Sequence, residues 1–145
     1  MATGNGNATV LVVDDDDMNL KMADIILKKA GKYNVLLANS GLQCIDVMQR
    51  NTVDLVLLDI KMPIMDGIKT LELMRKRPDL MDIPVIFLTA SSDRETVVKA
   101  GLMGVKDYIK KPFLPQDLTD RVAKALSLPA SGAPGTAAPA DNSRK

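Results

Sequence analysis

The sequence predicts an α/β fold: a five-stranded parallel sheet with helices on both faces, (βα)5 and doubly wound. Three observations lead there. Short runs such as VLVV (Val10–Val13), LVLL (Leu55–Leu58) and VIFL (Val85–Leu88) are apolar at every position, as strands covered on both faces are. Between them apolar residues recur at helical spacing. Turn and cap residues fall at the joins, so that strand is followed by helix five times, the alternation that builds a parallel sheet.

Taken in order, the first strand is Thr9–Val13, followed by a helix whose apolar positions are Met18, Met22, Ile25 and Ile26, with Gly31 as its stop. Tyr33–Ala38 is the second strand. Asn39 and Ser40 then cap a helix carrying Leu42, Ile45 and Met48. The third strand is Asp54–Leu58, and Ile68, Leu71 and Met74 mark the helix after it, closed by Pro78. Pro84–Leu88 is the fourth strand, with a less regular fourth helix over 92–101. Val105–Ile109 is the fifth, and Pro115 opens a last helix carrying Leu118, Val122, Ala125 and Leu126. Residues 1–8 and the Pro/Ala/Gly/Ser-rich stretch 128–145 read as a disordered N-terminus and a linker or tail, leaving 9–127 as one domain.

Composition narrows the chemistry. The 145 residues are 46% hydrophobic and 26% charged with a net charge of +1, which argues against direct nucleic-acid binding by bulk charge. The lone Cys44 cannot make an internal disulfide and reads as a small core residue. No apolar run approaches the ~20 residues of a membrane span and no signal peptide is evident, which points to a cytoplasmic address. Histidine is absent, so histidine metal sites, Ser-His-Asp catalysis and a phosphohistidine within this chain are excluded. Asp, Lys, Thr, Ser and a hard, oxygen-bound metal ion are what remain.

In parallel α/β sheets, ligands bind at the carboxyl ends of the strands. Those ends carry Asp14-Asp15-Asp16-Asp17 after the first strand, Asp59 after the third, Thr89 after the fourth and Lys110-Lys111-Pro112-Phe113 after the fifth. Any one of them has an ordinary use: an Asp or Thr after a strand caps the next helix, and a single Lys is a solvated charge. Ordinary uses do not require them all to stand on one rim.

The stretches VLVVDDDD, LVLLDIKMPIMDG, VIFLTAS and DYIKKPF together resemble the receiver domain of two-component response regulators. Asp15, Asp59, Thr89 and Lys111 are separated by intervals of 44, 30 and 22 residues, matching the spacing of that family. The resemblance covers roughly residues 9–127 and implies the flavodoxin-like strand order 2-1-3-4-5. It implies a Mg2+ site in which Asp15 and Asp59 bind directly, Asp14 acts through water and the Lys61 backbone carbonyl adds a ligand. Asp16 is left as a rim charge and Asp17 as the cap of the first helix. Asp59 is the implied phosphorylation site, fed by a sensor histidine kinase or phosphotransfer protein and emptied by hydrolysis. This makes the chain a timed switch rather than a turnover enzyme.

Lys111 and Thr89 are implied to hold phosphoryl oxygens, Tyr108 to turn inward as Thr89 moves, and Lys61 and Ser91 to influence access to the site. A cis bond at Lys111-Pro112 is the family's way of turning the lysine over the site. The subfamily that activates transcription pairs through its fourth helix, fifth strand and fifth helix. Lys99, Asp107, Asp117 and Arg121 stand at its pairing positions, giving Asp107–Arg121 and Lys99–Asp117 across a two-fold axis. Lys106 departs from that pattern, and the 145 residues carry no output domain, as expected of either a stand-alone receiver or a piece cut after its linker.

Two other readings compete. VVDDDDM also fits the start of a haloacid-dehalogenase-type phosphatase with Asp14 as nucleophile, although Met18 stands where that family has Thr or Val. A degenerate receiver, acting only as an interaction module, would be expected to have lost part of the set Asp14, Asp15, Asp59, Thr89 and Lys111. A calcium loop of the EF-hand type fails because Asn19 replaces its Gly and Ile25 its Glu.

Overall fold

A computed structural model describes residues 8–30, 33–90, 98–99, 101–102, 104–105 and 107–127. The strands are β1 (Ala8–Val13), β2 (Tyr33–Ala38), β3 (Leu55–Asp59), β4 (Val85–Thr89) and β5 (Asp107–Lys110). All pair in parallel, in the order β2-β1-β3-β4-β5. Helices α1 (Asp17–Lys29), α2 (Gly41–Arg50) and α3 (Gly67–Arg75) and the C-terminal helix (Pro115–Ser127) cover the sheet. Of the fourth helix expected over 92–101, only Val98, Lys99 and Gly101 are described, with Leu102 just beyond; all four are helical. Gly31, Ser91, Lys106 and the segments 1–7 and 128–145 lie outside the described residues.

The strands are apolar throughout because alternate side chains enter two separate cores. Leu11, Val13, Val56, Leu58, Val85 and Phe87 pack with Cys44, Met48, Leu71 and Met74 from α2 and α3. Val10, Val12, Leu55, Leu57, Ile86 and Leu88 pack with Leu20, Ala23 and Leu27 from α1 and with Leu118, Val122 and Ala125 from the C-terminal helix. Cys44 is fully buried, and burial pushes its thiol up to about 12, which makes it an inert core residue.

On α1 most of the expected face is exposed, and on α2 one residue of it is. Met18, Met22 and Ile25 are 70%, 43% and 53% exposed, while Leu20, Ala23 and Leu27 face the sheet and Ile26 packs beside them, half-buried. The helix carries two apolar stripes, and the one containing the small Ala23 lets the helix axis lie close to the strands. On α2 Met48 is buried and Ile45 packs against the core as expected, joined by Gly41 and Cys44, while Leu42 is exposed. The faces of α3 and the C-terminal helix are the expected ones, with Ile68, Leu71, Met74, Leu118, Val122 and Ala125 buried.

The loop after β3 contains a three-residue turn in which the Met65 N–H donates to the Pro63 carbonyl at 2.7 Å. Its central residue, Ile64, has φ 69° and is fully exposed, at 102%. A β-branched side chain in the left-handed region is strained, and Ile64 recovers nothing by burial. Ile64→Asn should therefore stabilise the protein by about 1 kcal/mol, read as a rise in urea midpoint. An unchanged or lower midpoint would contradict this account of the turn.

Candidate functional site

The register of the sheet brings the strand ends together. Val13 is level with Leu58 and Ala38, Asp59 with Leu88, and Thr89 with Lys110. Asp14 thus follows β1 beside the end of β3, Asp59 is the last residue of β3, and Lys111 follows β5 beside Thr89. Main-chain bonds extend the alignment past the strands: Asp14 N–H donates to Ala38 (3.1 Å), Ile60 N–H to Leu88 (3.2 Å) and Lys111 N–H to Thr89 (2.8 Å). The Lys111–Pro112 peptide bond is cis.

Asp14 and Asp59 are 0% and 2% exposed, whereas Asp15 is exposed. One carboxylate oxygen from each of the three falls within 4.8 Å of the others. Such a set of hard oxygen donors fits a small divalent cation such as Mg2+. The Lys111 ammonium bridges the two buried carboxylates, 3.0 Å from Asp59 Oδ1 and 3.2 Å from Asp14 Oδ2. Burial, reinforced by the charge of Asp14 and only partly offset by Lys111, pushes the Asp59 carboxyl up to about 7. Burial works against the Lys111 ammonium too, yet its bonds to Asp59 and Asp14 outweigh that and hold it above the ordinary lysine range.

The remaining two aspartates reverse the expected roles. Asp16, expected as a rim charge, is the extended N-cap of α1, and its Oδ1 accepts the Met18 N–H at 2.9 Å. Asp17, expected as the cap, is already the first helical residue, where its charge favours the positive end of the helix dipole.

Two contributors were not apparent from the sequence. Asn19 Nδ2 donates to Asp14 Oδ2 at 3.2 Å. Gly67, the first residue of α3, lies so close to β3 that a Cβ there would stand 2.3 Å from the Asp59 carbonyl oxygen and 2.9 Å from Ile60 Cα. The Asp66-Gly67 pair was a signal for the second, since Asp66 caps α3 and its neighbour must fit beneath the end of the strand.

Thr89 is buried at the end of β4, and Tyr108 is half-buried beside Phe87 on β5. Burial and then the charge of Asp107 raise the Tyr108 phenol. Lys61, two residues beyond Asp59, is exposed. On the flank, Arg121 pairs within its own chain with both Asp107 (2.7 Å) and Asp117 (2.8 Å). Arg121, the expected cross-axis partner of Asp107, is thus paired within its own chain, where it also takes Asp117, the expected partner of Lys99.

A family model described as response regulator receiver domain matches residues 10–123. The transcriptional regulatory protein YvrH of Bacillus subtilis is 38% identical over 120 residues, covering 83% of this chain and 49% of YvrH, so the chain spans about half of that relative. Chemotaxis protein CheY-3 of Vibrio cholerae is 32% identical over 120 residues, which are 83% of this chain and 92% of CheY-3. The structure of V. cholerae CheY4 superposes with a TM-score of 0.77 at 28% identity, covering 83% of this chain and 99% of CheY4.

Proposed function

The chain belongs to the response regulator receiver family, and on that premise we propose that it accepts a phosphoryl group on Asp59 from a histidine kinase or phosphotransfer protein. Receiver domains are signalling domains that interact with such partners. The observation that carries the reading is the bridge of Lys111 across Asp59 and Asp14, inside a cluster of three carboxylates at the carboxyl ends of the central strands. A half-buried ammonium on a buried carboxylate is an arrangement suited to gathering negative charge.

Asp14, Asp15 and Asp59, with the Lys61 backbone carbonyl, would hold Mg2+, which supplies positive charge against the phosphoryl oxygens when bound. An Asp59 oxygen bonds to phosphorus as the P–N bond of the donor phosphohistidine breaks. The electron pair leaves with the imidazole nitrogen, which is protonated from solvent. Lys111 exchanges its bonds to Asp59 Oδ1 and Asp14 Oδ2 for one to a phosphoryl oxygen, and the Thr89 hydroxyl donates to another. Movement of Thr89 opens room into which Tyr108 turns, altering the face formed by β5, the C-terminal helix and the segment carrying Lys99. In-line attack by water on the aspartyl phosphate resets the site.

Asp14 is a poor candidate nucleophile, being fully buried with three donors on its oxygens. A homodimer through Lys99, Asp107, Asp117 and Arg121 would have to exchange the intrachain bonds of Arg121 for cross-axis ones, so the partner proposed is the phosphodonor.

Mass spectrometry after incubation with acetyl phosphate and Mg2+ tests the reading. One phosphoryl group is expected on the wild type, none on Asp59→Asn and none in the presence of a chelator. An unmodified wild type would make the chain an interaction module, and a singly phosphorylated Asp59→Asn protein would move the acceptor elsewhere.

A further inference from the structure

We propose that Asn19 is a positioning residue for this site, holding the Asp14 carboxylate in place when Lys111 lets go of it; the inference rests on the phosphoacceptor reading above. Asp14 is completely buried and its two oxygens are used unequally. Oδ1 accepts the Asp16 N–H at 2.9 Å. Oδ2 accepts from both the Asn19 amide and the Lys111 ammonium, each at 3.2 Å.

These two donors on one oxygen differ in kind. Lys111 is a mobile cation on a long stem, and it is the group that transfers its attention to the phosphoryl oxygens. It also repels an incoming divalent ion. Asn19 is neutral and short, and it sits in the first turn of α1, which is anchored by the Asp16 cap and by the buried side chain of Leu20. Its amide can therefore orient the carboxylate without competing with Mg2+ for it. Once Lys111 moves, Asn19 is the donor that remains on Oδ2 among the described residues. Without it, Asp14 would be fixed through Oδ1 alone and free to rotate away from the metal. Groups that orient a metal ligand from behind typically contribute ten- to a hundred-fold in affinity or activity.

The test is Mg2+ titration of the full chain by calorimetry, with Asn19→Ala, the shape-preserving Asn19→Leu, and each combined with Lys111→Ala. The single variants should bind Mg2+ about ten-fold more weakly. The loss should be larger in the Lys111→Ala background, where Asn19 has no companion on Oδ2. Affinity within two-fold of wild type for both variants, or an equal loss in both backgrounds, overturns the proposal.

A second readout needs no substitution in the protein observed. The side-chain amide signals of Asn19, identified by their loss in Asn19→Leu, should stay away from the solvent-exposed position when Mg2+ and beryllofluoride are added together. Their return to that position would mean that Asn19 releases Asp14 with Lys111, and the proposal fails. If the wild type itself takes up no Mg2+, it is the phosphoacceptor reading that fails.

Discussion

Gly67→Ala should destabilise the protein by about 3 kcal/mol and slow phosphorylation by acetyl phosphate at least ten-fold. Helix propensity alone predicts the opposite sign, since Ala in place of Gly in a helix gains roughly 0.5–1 kcal/mol. The contact decides against propensity because the added Cβ meets backbone, at 2.3 Å from the Asp59 carbonyl oxygen and 2.9 Å from Ile60 Cα. Neither atom can rotate aside. Either α3 lifts, breaking the 2.7 Å bond from Gly67 N–H to the Ile60 carbonyl, or the end of β3 shifts and carries the Asp59 carboxylate with it. Misplacement of a reacting group by about 1 Å can cost a hundred-fold in rate. Urea unfolding and initial phosphorylation rates check the two parts, and a variant as stable as wild type would show that the close approach does not exist in solution.

The second large effect is a change of sign with pH and metal. The Asp59 carboxyl titrates at about 7 in the metal-free fold and in the ordinary carboxylate range, near 4, when unfolded. Between those values the folded state holds the extra proton, so stability falls as pH rises. The contribution is complete below about pH 4 and is lost as pH climbs through 7. Metal-free Asp59→Asn, which cannot ionise, should therefore match the wild type near pH 4 and exceed it by about 2 kcal/mol at pH 8. Lys111 limits the gain, because removing the Asp59 charge leaves the ammonium with Asp14 as its paired carboxylate. Mg2+ should reverse the order at pH 8, since a ligand at a hundred times its Kd stabilises the wild type by about 2.7 kcal/mol. Urea midpoints across pH, with and without Mg2+, give the crossing. Metal-free Asp59→Asn less stable than wild type at pH 8 would mean that Lys111 more than neutralises the cluster.

The strands were legible because burial on both faces leaves an unbroken apolar run, and in VLVV, LVLL and VIFL every residue reaches a core. The orientation of α1 was not, since Met18, Met22 and Ile25 form as regular a stripe as Leu20, Ala23 and Leu27. Hydrophobicity does not separate the two, and only docking against the sheet selects the latter. Asp59 and Lys111 could be assigned to one site because the strand ends place them there. The division of labour among four consecutive aspartates could not, because each can serve as a cap and backbone dihedrals alone made Asp16 the one that does. The role of Asn19 was not legible for a related reason. Its bond to Asp14 depends on the tight turn between β1 and α1, a geometry that composition and spacing do not record. Arg121 shows the same limit on the surface, where a charge pattern is compatible with pairing inside one chain or between two.

The bonds from Lys111 to Asp14 and Asp59 span 97 and 52 residues of sequence. Contacts so distant along the chain form late, after shorter loops have closed. A chain emerging from the ribosome therefore carries all three carboxylates well before it carries their ammonium, and Lys111 joins them only when β5 docks as the outermost strand. The chemistry of the site is in this way contingent on the completed sheet. An intermediate lacking its last strand holds Asp59 without the lysine that bridges it, and the site is complete only at the end of folding.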